Sequence, residues 1–157
     1  MKAPIAVRDE DNDLPMPDQN VLISLDKIYS TKEMALIRNG VASEVMEDKW
    51  DIYFENDRLY FHRNWTGYCQ YVVRFVQEGK YWRMVDAVVN ADPDEYQFID
   101  DGVDAKRIPF LIDVLILRKE SVFPDPSIPE DDRPLWLWGD IGRASVGQFP
   151  WDGSADD

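Results

Sequence analysis

Residues 49–63, KWDIYFENDRLYFHR, contain two alternating segments on either side of Asn56-Asp57. Apolar or aromatic side chains recur at every second position, which is the period of a half-buried strand. Asn and Asp accept positive φ more readily than most residues, so the pair suits a two-residue hairpin turn. The pattern predicts an antiparallel hairpin whose register is fixed by the face that is buried. The first segment places Trp50, Ile52 and Phe54 on one face and Asp51, Tyr53 and Glu55 on the other, and the second places Leu59 and Phe61 on one face and Tyr60 and His62 on the other.

Further strands are predicted on both sides of this hairpin. Residues 68–77 and 81–90 are rich in aromatic and β-branched residues, and Glu78-Gly79-Lys80 supplies a turn between them. Four sequential strands with short turns predict an antiparallel meander. Residues 21–29 alternate as a fifth candidate strand, so we expect a sheet of four or five strands.

Two helices are predicted from capping signals and apolar spacing. Ser30 and Glu33 have the spacing of a capping box, which predicts a short helix near 30–38 that ends at Asn39-Gly40. A long helix opened by Asp101 or Asp104 is expected near 104–118, where it would cover the apolar face of the sheet. The predicted fold class is α+β: a four- to five-stranded antiparallel meander covered by one long helix, with an irregular C-terminal tail rich in Pro and Trp.

The 157 residues fit one domain, because chains of this length form one hydrophobic core. Residues 1–20 hold an acidic run and several prolines, which predicts an irregular lead-in to an α+β core at 21–119. Residues 120–157 combine prolines with tryptophans, and a solvated linker would not be expected to carry so many large aromatic groups. We therefore expect this tail to pack on the core or on a partner.

The formal net charge is −14, from 31 Asp and Glu against 17 Lys and Arg. Such a charge repels nucleic-acid phosphates and anionic lipid, so binding to nucleic acid or membrane is not expected. It favours solubility and permits electrostatic steering towards a basic protein. Charge alone does not identify a partner.

A reducing compartment is predicted from the single cysteine, Cys69, which has no intrachain partner for a disulfide. No apolar run of signal-peptide or membrane-spanning length is present in the printed sequence. The expected location is therefore the cytoplasm.

A candidate ligand pocket lies where the second strand of the hairpin ends, at Tyr60-Phe61-His62-Arg63-Asn64-Trp65-Thr66-Gly67-Tyr68. The guanidinium group of Arg63 offers donors that match a phosphate or carboxylate, and Trp65 offers a face for stacking. The structural alternative is that Arg63 pairs with a carboxylate, Trp65 closes the core and Gly67 supplies the turn. The residues predicted to bind a ligand are Tyr60, His62, Arg63, Trp65, Thr66, Gly67 and Asp92.

This block resembles a little-characterised bacterial domain with a Lys-Trp hairpin followed by Arg-Ser-Trp-Thr-Gly. The resemblance covers residues 46–118 and also includes Lys49-Trp50 and the segment 90–96. Asn64 stands where that domain has Ser, so no role for a hydroxyl carries over to this position. The resemblance implies gene neighbourhoods of ADP-ribose chemistry and toxin immunity, and it implies no catalytic residues.

Several kinds of catalytic or metal site are disfavoured by the sequence. His62 is the only histidine, so a site with two or three histidines is excluded, and a surface or half-buried position without catalytic duty is expected for it. Cys69 lacks a local nucleophile motif, so a buried thiol is expected. Asp9, Asp11 and Asp13 alternate as calcium ligands do, but the glycine of a calcium loop does not follow them. No metal or cofactor is predicted.

Three functions remain as hypotheses. The first is a non-enzymatic binding protein, an immunity or antagonist factor that engages a basic partner and acts as a monomer or homodimer. The second is a small hydrolase or binding module for a nucleotide or ADP-ribose-like ligand, in which His62 or Asp92 would move protons. The third is a DNA mimic. The residues predicted to contact a protein partner are Trp136, Trp138, Trp151, Asp131 and Asp132.

Overall fold

The computed structural model describes residues 14–42, 49–63, 66–95, 101–119, 124, 127–134 and 137. Within them the chain forms an antiparallel sheet of five strands and two helices, which confirms the α+β class. The strands are β1 (Asn20–Tyr29), β2 (Trp50–Glu55), β3 (Arg58–Arg63), β4 (Cys69–Glu78) and β5 (Tyr81–Asn90), and the helices are α1 (Thr31–Asn39) and α2 (Asp101–Leu111).

The turns of the meander have the backbone conformations that their residues favour. Asn56 and Asp57 both adopt positive φ, at 53° and 62°, so the β2–β3 hairpin closes through a two-residue turn. Gly79 adopts a φ of 64° in the turn between β4 and β5. The predicted hairpin and meander are confirmed, with strand bounds that differ from the prediction by no more than one residue.

The first strand does not pair with its sequence neighbours. The sheet order is β1-β5-β4-β3-β2, so β1 lies beside the last strand of the meander. The two strands align over their whole length from Asn20↔Asn90 to Tyr29↔Trp82, with a β-bulge between Ser24 and Lys27. Such bulges increase the local twist and interrupt a regular edge.

The short helix begins and ends as predicted. The Ser30 hydroxyl accepts a hydrogen bond from the Glu33 amide at 3.1 Å, and the Glu33 carboxylate accepts one from the Ser30 amide at 2.9 Å. This reciprocal pair is a capping box. Gly40, with a φ of 64°, ends the helix.

The long helix differs from the single regular helix that we predicted. It begins at Asp101, and after Leu111 the hydrogen-bond pattern changes to that of a π-helix over Ile112–Ile116. Pro109 lies inside α2 and has no amide proton to donate, so it interrupts the α-helical ladder just before this change. The Leu117 amide then donates to the Ile112 carbonyl at 2.9 Å, which is the five-residue spacing of a π turn.

Alternation along the strands gives the sheet two chemically different faces. The covered face packs against α1 and α2 and forms the hydrophobic core, in which Trp50, Phe61 and Tyr71 are buried. The opposite face, which no helix among the described residues covers, is called the open face. Segment 14–19 lies beside the open face at His62, where the Leu14 carbonyl is 2.9 Å from His62 Nε2.

Some predictions fall on residues that the structure does not describe. Residues 1–13 of the predicted lead-in (1–20), Trp65, and the tryptophans at 136, 138 and 151 lie outside the described residues. Of the predicted tail, Leu137 belongs to the hydrophobic core and is 5% exposed. The division of the chain into lead-in, core and tail stays a prediction. None of the described helices has the length and apolarity needed to cross a membrane.

Candidate functional site

The turn that follows β3 positions Arg63 and Thr66. The Arg63 amide donates to the Tyr68 carbonyl at 3.0 Å, and the Gly67 amide donates to the Arg63 carbonyl at 2.9 Å. Gly67 has a φ of 74°, a conformation that favours glycine. The Thr66 hydroxyl accepts from the Tyr68 amide at 3.2 Å and keeps its own proton for donation. Backbone bonds therefore fix the end of β3 at the point where the ligand pocket was predicted.

Two arginines from different elements converge on one indole ring. The Arg63 guanidinium carbon lies 4.5 Å from the centroid of Trp50, its neighbour across the β2–β3 ladder. The Arg107 guanidinium carbon, which comes from α2, lies 5.3 Å from the same centroid. Trp50 is 1% exposed, whereas both arginines are half-buried. The ring contacts are cation–π interactions, which hold each guanidinium group in a preferred orientation.

A buried hydrogen-bond network supports Arg107. Its Nη1 donates to Tyr71 Oη at 3.3 Å, and Tyr71 Oη donates to Asp104 Oδ1 at 2.6 Å. Tyr71 also stacks nearly parallel to Trp50, with a centroid distance of 6.3 Å. Asp104 is 1% exposed, so the network lies in the core and not at the surface. These bonds join strand β4, which carries Tyr71, to helix α2, which carries Asp104 and Arg107. We call the two arginines and the indole that they contact the Arg63–Trp50–Arg107 cluster.

The predicted pocket residues do not all lie together. Arg63 lies on the covered face, whereas Tyr60 and His62 lie on the open face with Tyr53. Tyr53 stacks on Tyr60 at 4.8 Å and on His62 at 5.6 Å between ring centroids. His62 is 2% exposed, so it is buried and not the surface or half-buried histidine that we expected. The sheet therefore separates His62 from the Arg63 guanidinium group.

Asp92 forms a turn after β5. Its Oδ1 accepts from the Asp94 amide at 2.9 Å, and its own amide donates to Asn90 Oδ1 at 2.9 Å. Asn90 is fully buried and also donates to the Cys69 carbonyl. These bonds give Asp92 a structural duty in the turn. Cys69 is 1% exposed, which confirms the prediction of a buried thiol.

The open face carries an apolar row that crosses all five strands. The β-ladder registers place Leu22, Val88, Val72, Tyr60 and Tyr53 side by side. Leu22 is 69% exposed at the β1 end, and Tyr53 is 5% exposed at the β2 end. In the part of the chain that the structure describes, Ile28, Val76 and Tyr81 are further exposed large hydrophobic residues on this face.

Charged residues surround this row. Arg74 forms a bidentate ion pair with Asp86, at 2.7 Å for the shortest contact, and Arg83 binds Glu78 and Asp26. Among the described strand residues of the open face, carboxylates outnumber guanidinium groups. The carboxylates are Asp26, Asp51, Glu55, Glu78 and Asp86, and the guanidinium groups are those of Arg58, Arg74 and Arg83.

Asp131 and Asp132, predicted as partner contacts, are exposed in a 3-10 turn at Glu130–Asp132. Trp136, Trp138 and Trp151 lie outside the described residues, so the structure does not place them beside these carboxylates. Their role in partner binding stays a prediction.

A second polar cluster, which sequence reasoning missed, lies where β1 meets α1 and the π turn. Lys119 Nζ lies 3.4 Å from Glu33 Oε2 and 4.0 Å from Asp113 Oδ1. Tyr29 is fully buried nearby, and burial together with the charges of Asp113 and Glu33 raises the pKa of its hydroxyl well above 10.0. A carboxylate inside the apolar run Leu111–Leu117 was the signal that could have indicated this cluster.

The described residues contain no group of three or more His, Cys, Asp and Glu side chains that could hold a metal ion. No protein-family model, curated protein or solved structure matches the chain. The resemblance to a bacterial domain therefore stays a prediction.

Proposed function

We propose that the chain is an acidic, non-enzymatic binding protein of the cytoplasm, an immunity or antagonist factor whose open face engages a basic protein. The observation that carries the proposal is the apolar row on the open face, with Leu22 69% exposed at its end. Exposed apolar side chains in contiguous rows mark interaction surfaces more often than isolated ones do.

The charge around the row indicates the chemistry of the partner. Arg74 and Arg83 are already engaged by carboxylates of the same face, and Glu55 and Asp51 add further negative charge. A basic protein with apolar side chains at the centre of its own contact surface would match both features. The net charge of −14 would also increase the rate of association with such a partner.

The alternative functions have different support. A DNA mimic needs carboxylates spaced like phosphates, but guanidinium groups interrupt the carboxylates of the open face at Arg58, Arg74 and Arg83. A nucleotide-binding module would use the Arg63–Trp50–Arg107 cluster, which lies on the other face of the sheet. His62 would take no part in that module, because it lies on the open face.

The proposal is tested by comparing two variants that add the same charge. Leu22→Lys removes the most exposed apolar side chain of the open face, and Ala35→Lys adds a lysine at an exposed position of α1. Tagged wild type and both variants are incubated with a bacterial lysate at low salt. The expected result is one stoichiometric basic protein retained by wild type and Ala35→Lys, lost with Leu22→Lys and released by raised salt.

The captured protein is then purified and its Kd measured against all three chains at several salt concentrations. We expect Leu22→Lys to weaken binding at least about tenfold and Ala35→Lys to leave it near the wild-type value. The proposal is contradicted if wild type retains no basic protein from the lysate. Equal affinity of all three chains would exclude the open face as the binding surface.

A further inference from the structure

We propose that the Asn39-Gly40 link at the end of α1 is a modification site, at which Asn39 loses its side-chain amide spontaneously when the helix end opens. The inference does not depend on the proposed protein partner, because α1 packs on the covered face and not on the open face. An Asn followed by Gly is the pair most prone to this reaction. Glycine has no Cβ, so little hinders the approach of its amide nitrogen to the Asn side chain.

The reaction uses only this pair of residues and water. The Gly40 amide nitrogen gives up its proton and attacks the side-chain carbonyl carbon of Asn39, and the new carbon–nitrogen bond closes a succinimide ring. The bond from that carbon to the side-chain nitrogen breaks, and this nitrogen takes up a proton and leaves as ammonia. Water then adds to one of the ring carbonyl carbons and opens the ring, which yields Asp or isoaspartate at position 39.

The folded chain holds the attacking nitrogen in another bond. The Gly40 amide donates to the Ile37 carbonyl at 3.0 Å, where it caps α1. The backbone is also fixed on both sides of the link. Ile37 is fully buried, and Val41 exchanges two backbone hydrogen bonds of 2.8 Å with Ile52 of β2. The reaction therefore proceeds from a locally open form, in which the bond between Gly40 and Ile37 is broken.

The product weakens the contacts that protected the link. A carboxylate at position 39 places negative charge beside the negative end of the helix dipole, in a chain whose formal net charge is already −14. Isoaspartate also inserts an extra backbone carbon between Ile37 and Val41, so the helix cap and the Val41–Ile52 bridge do not both keep their geometry. Each event is irreversible under these conditions, so the modified fraction records how often the end of α1 opens.

The test follows the loss of the Asn39 amide by mass spectrometry of the peptide that contains it, after incubation at mildly alkaline pH. Three samples are compared: the folded chain, the same chain in denaturing urea, and a synthetic peptide of residues 36–43. The folded chain should react at least about tenfold more slowly than the other two, because only its open form reacts. Asn20, which is exposed in β1 and followed by valine, is the internal control and should keep its amide in all conditions.

Two variants separate the chemistry from the fold. Gly40→Ala is measured in urea, where its effect on folding has no influence, and its added methyl group should slow the reaction severalfold relative to wild type. Ser30→Ala removes the capping box from this nine-residue helix, so the folded variant should react about threefold faster than folded wild type.

Circular dichroism confirms that Ser30→Ala is folded before the rates are compared. The proposal is overturned if folded wild type reacts as fast as the peptide, or if Asn39 keeps its amide in urea. It is also overturned if folded Ser30→Ala reacts no faster than wild type, since opening of the helix would then not control the reaction.

Discussion

The covered face and the open face of the sheet use the same five strands but keep their large side chains in different surroundings. On the covered face, Trp50 is 1% exposed and contacts Phe61, Tyr71 and two arginines. On the open face, Leu22 is 69% exposed in a row that also contains two valines. Strand alternation supplies both faces with apolar groups, but the helices of the described residues pack against only one. Under the proposed function, the apolar groups of the other face contact a partner.

The largest expected effect comes from removing the central ring of the covered face. Trp50→Ala deletes a buried indole that contacts side chains of β3, β4 and α2. It should therefore lower the free energy of unfolding by about 3–5 kcal/mol. Leu22→Ala, on the open face, should lower it by less than about 0.5 kcal/mol. Urea denaturation measures both values. Equal losses would mean that the two faces are buried to the same degree in solution.

An intermediate loss of stability is expected at the β2 end of the open face, where the side chains are buried. Tyr53 is 5% exposed and stacks between Tyr60 and His62, so Tyr53→Ala should cost about 2 kcal/mol. Tyr81→Ala is the control on the same face, because Tyr81 is 53% exposed. Thermal and urea denaturation should rank the two variants in that order. A smaller loss for Tyr53→Ala than for Tyr81→Ala would contradict the stacked arrangement.

A pH-dependent effect is expected at the second polar cluster. Because the folded state raises the pKa of Tyr29, the folded chain keeps this phenol proton above pH 10, where the unfolded chain loses it. Stability should therefore fall as the pH rises through and above 10.0, and Tyr29→Phe should remove this part of the fall.

The measurement compares wild type with Tyr29→Phe by urea denaturation at several pH values. Below about pH 9 the two stabilities should differ by a constant amount of roughly 1 kcal/mol or less. Above pH 10 the Phe variant should become progressively more stable relative to wild type. A constant difference over the whole range would show that the Tyr29 pKa is not raised.

The smallest effect is expected for the ion pair between Arg74 and Asp86. Both groups lie on the open face, and the Arg74 side chain is 45% exposed, so water and salt screen their attraction. A double-mutant cycle with Arg74→Gln and Asp86→Asn should give a coupling free energy close to experimental error. A large coupling that persists in high salt would indicate that this part of the open face is covered in solution.

The sequence contained enough information for the meander and the first helix. Asn56-Asp57 and the Ser30–Glu33 spacing are local signals, because the residues that interact are adjacent or three apart. The position of β1 at the outer edge beside β5 was not predictable, since alternation indicates a strand without naming its neighbour. The π turn was not predicted, because apolar spacing indicates a helix without reporting the amide donor that Pro109 removes from its hydrogen-bond ladder.

The candidate site was predicted in part. Arg63 was predicted to bind an anion from its residue type, and that role stays a prediction; the ring that contacts it in the described structure is that of Trp50. Arg107 could not be associated with this site, because only the tertiary packing of α2 brings it to the indole. His62 was grouped with Arg63 by proximity in sequence, although adjacent residues of a strand point to opposite faces.

The pairing of β1 with β5 has a consequence for the order of folding. Strands β2 to β5 pair with their sequence neighbours through short turns. Strand β1 pairs with β5, for example Leu22 with Val88, and these residues are far apart in the sequence. During synthesis β1 leaves the ribosome first but has no partner until β5 has emerged, so its contacts carry the highest entropic cost of loop closure in the sheet. We expect β1 to join last and to be the strand most easily exchanged between two chains at high concentration.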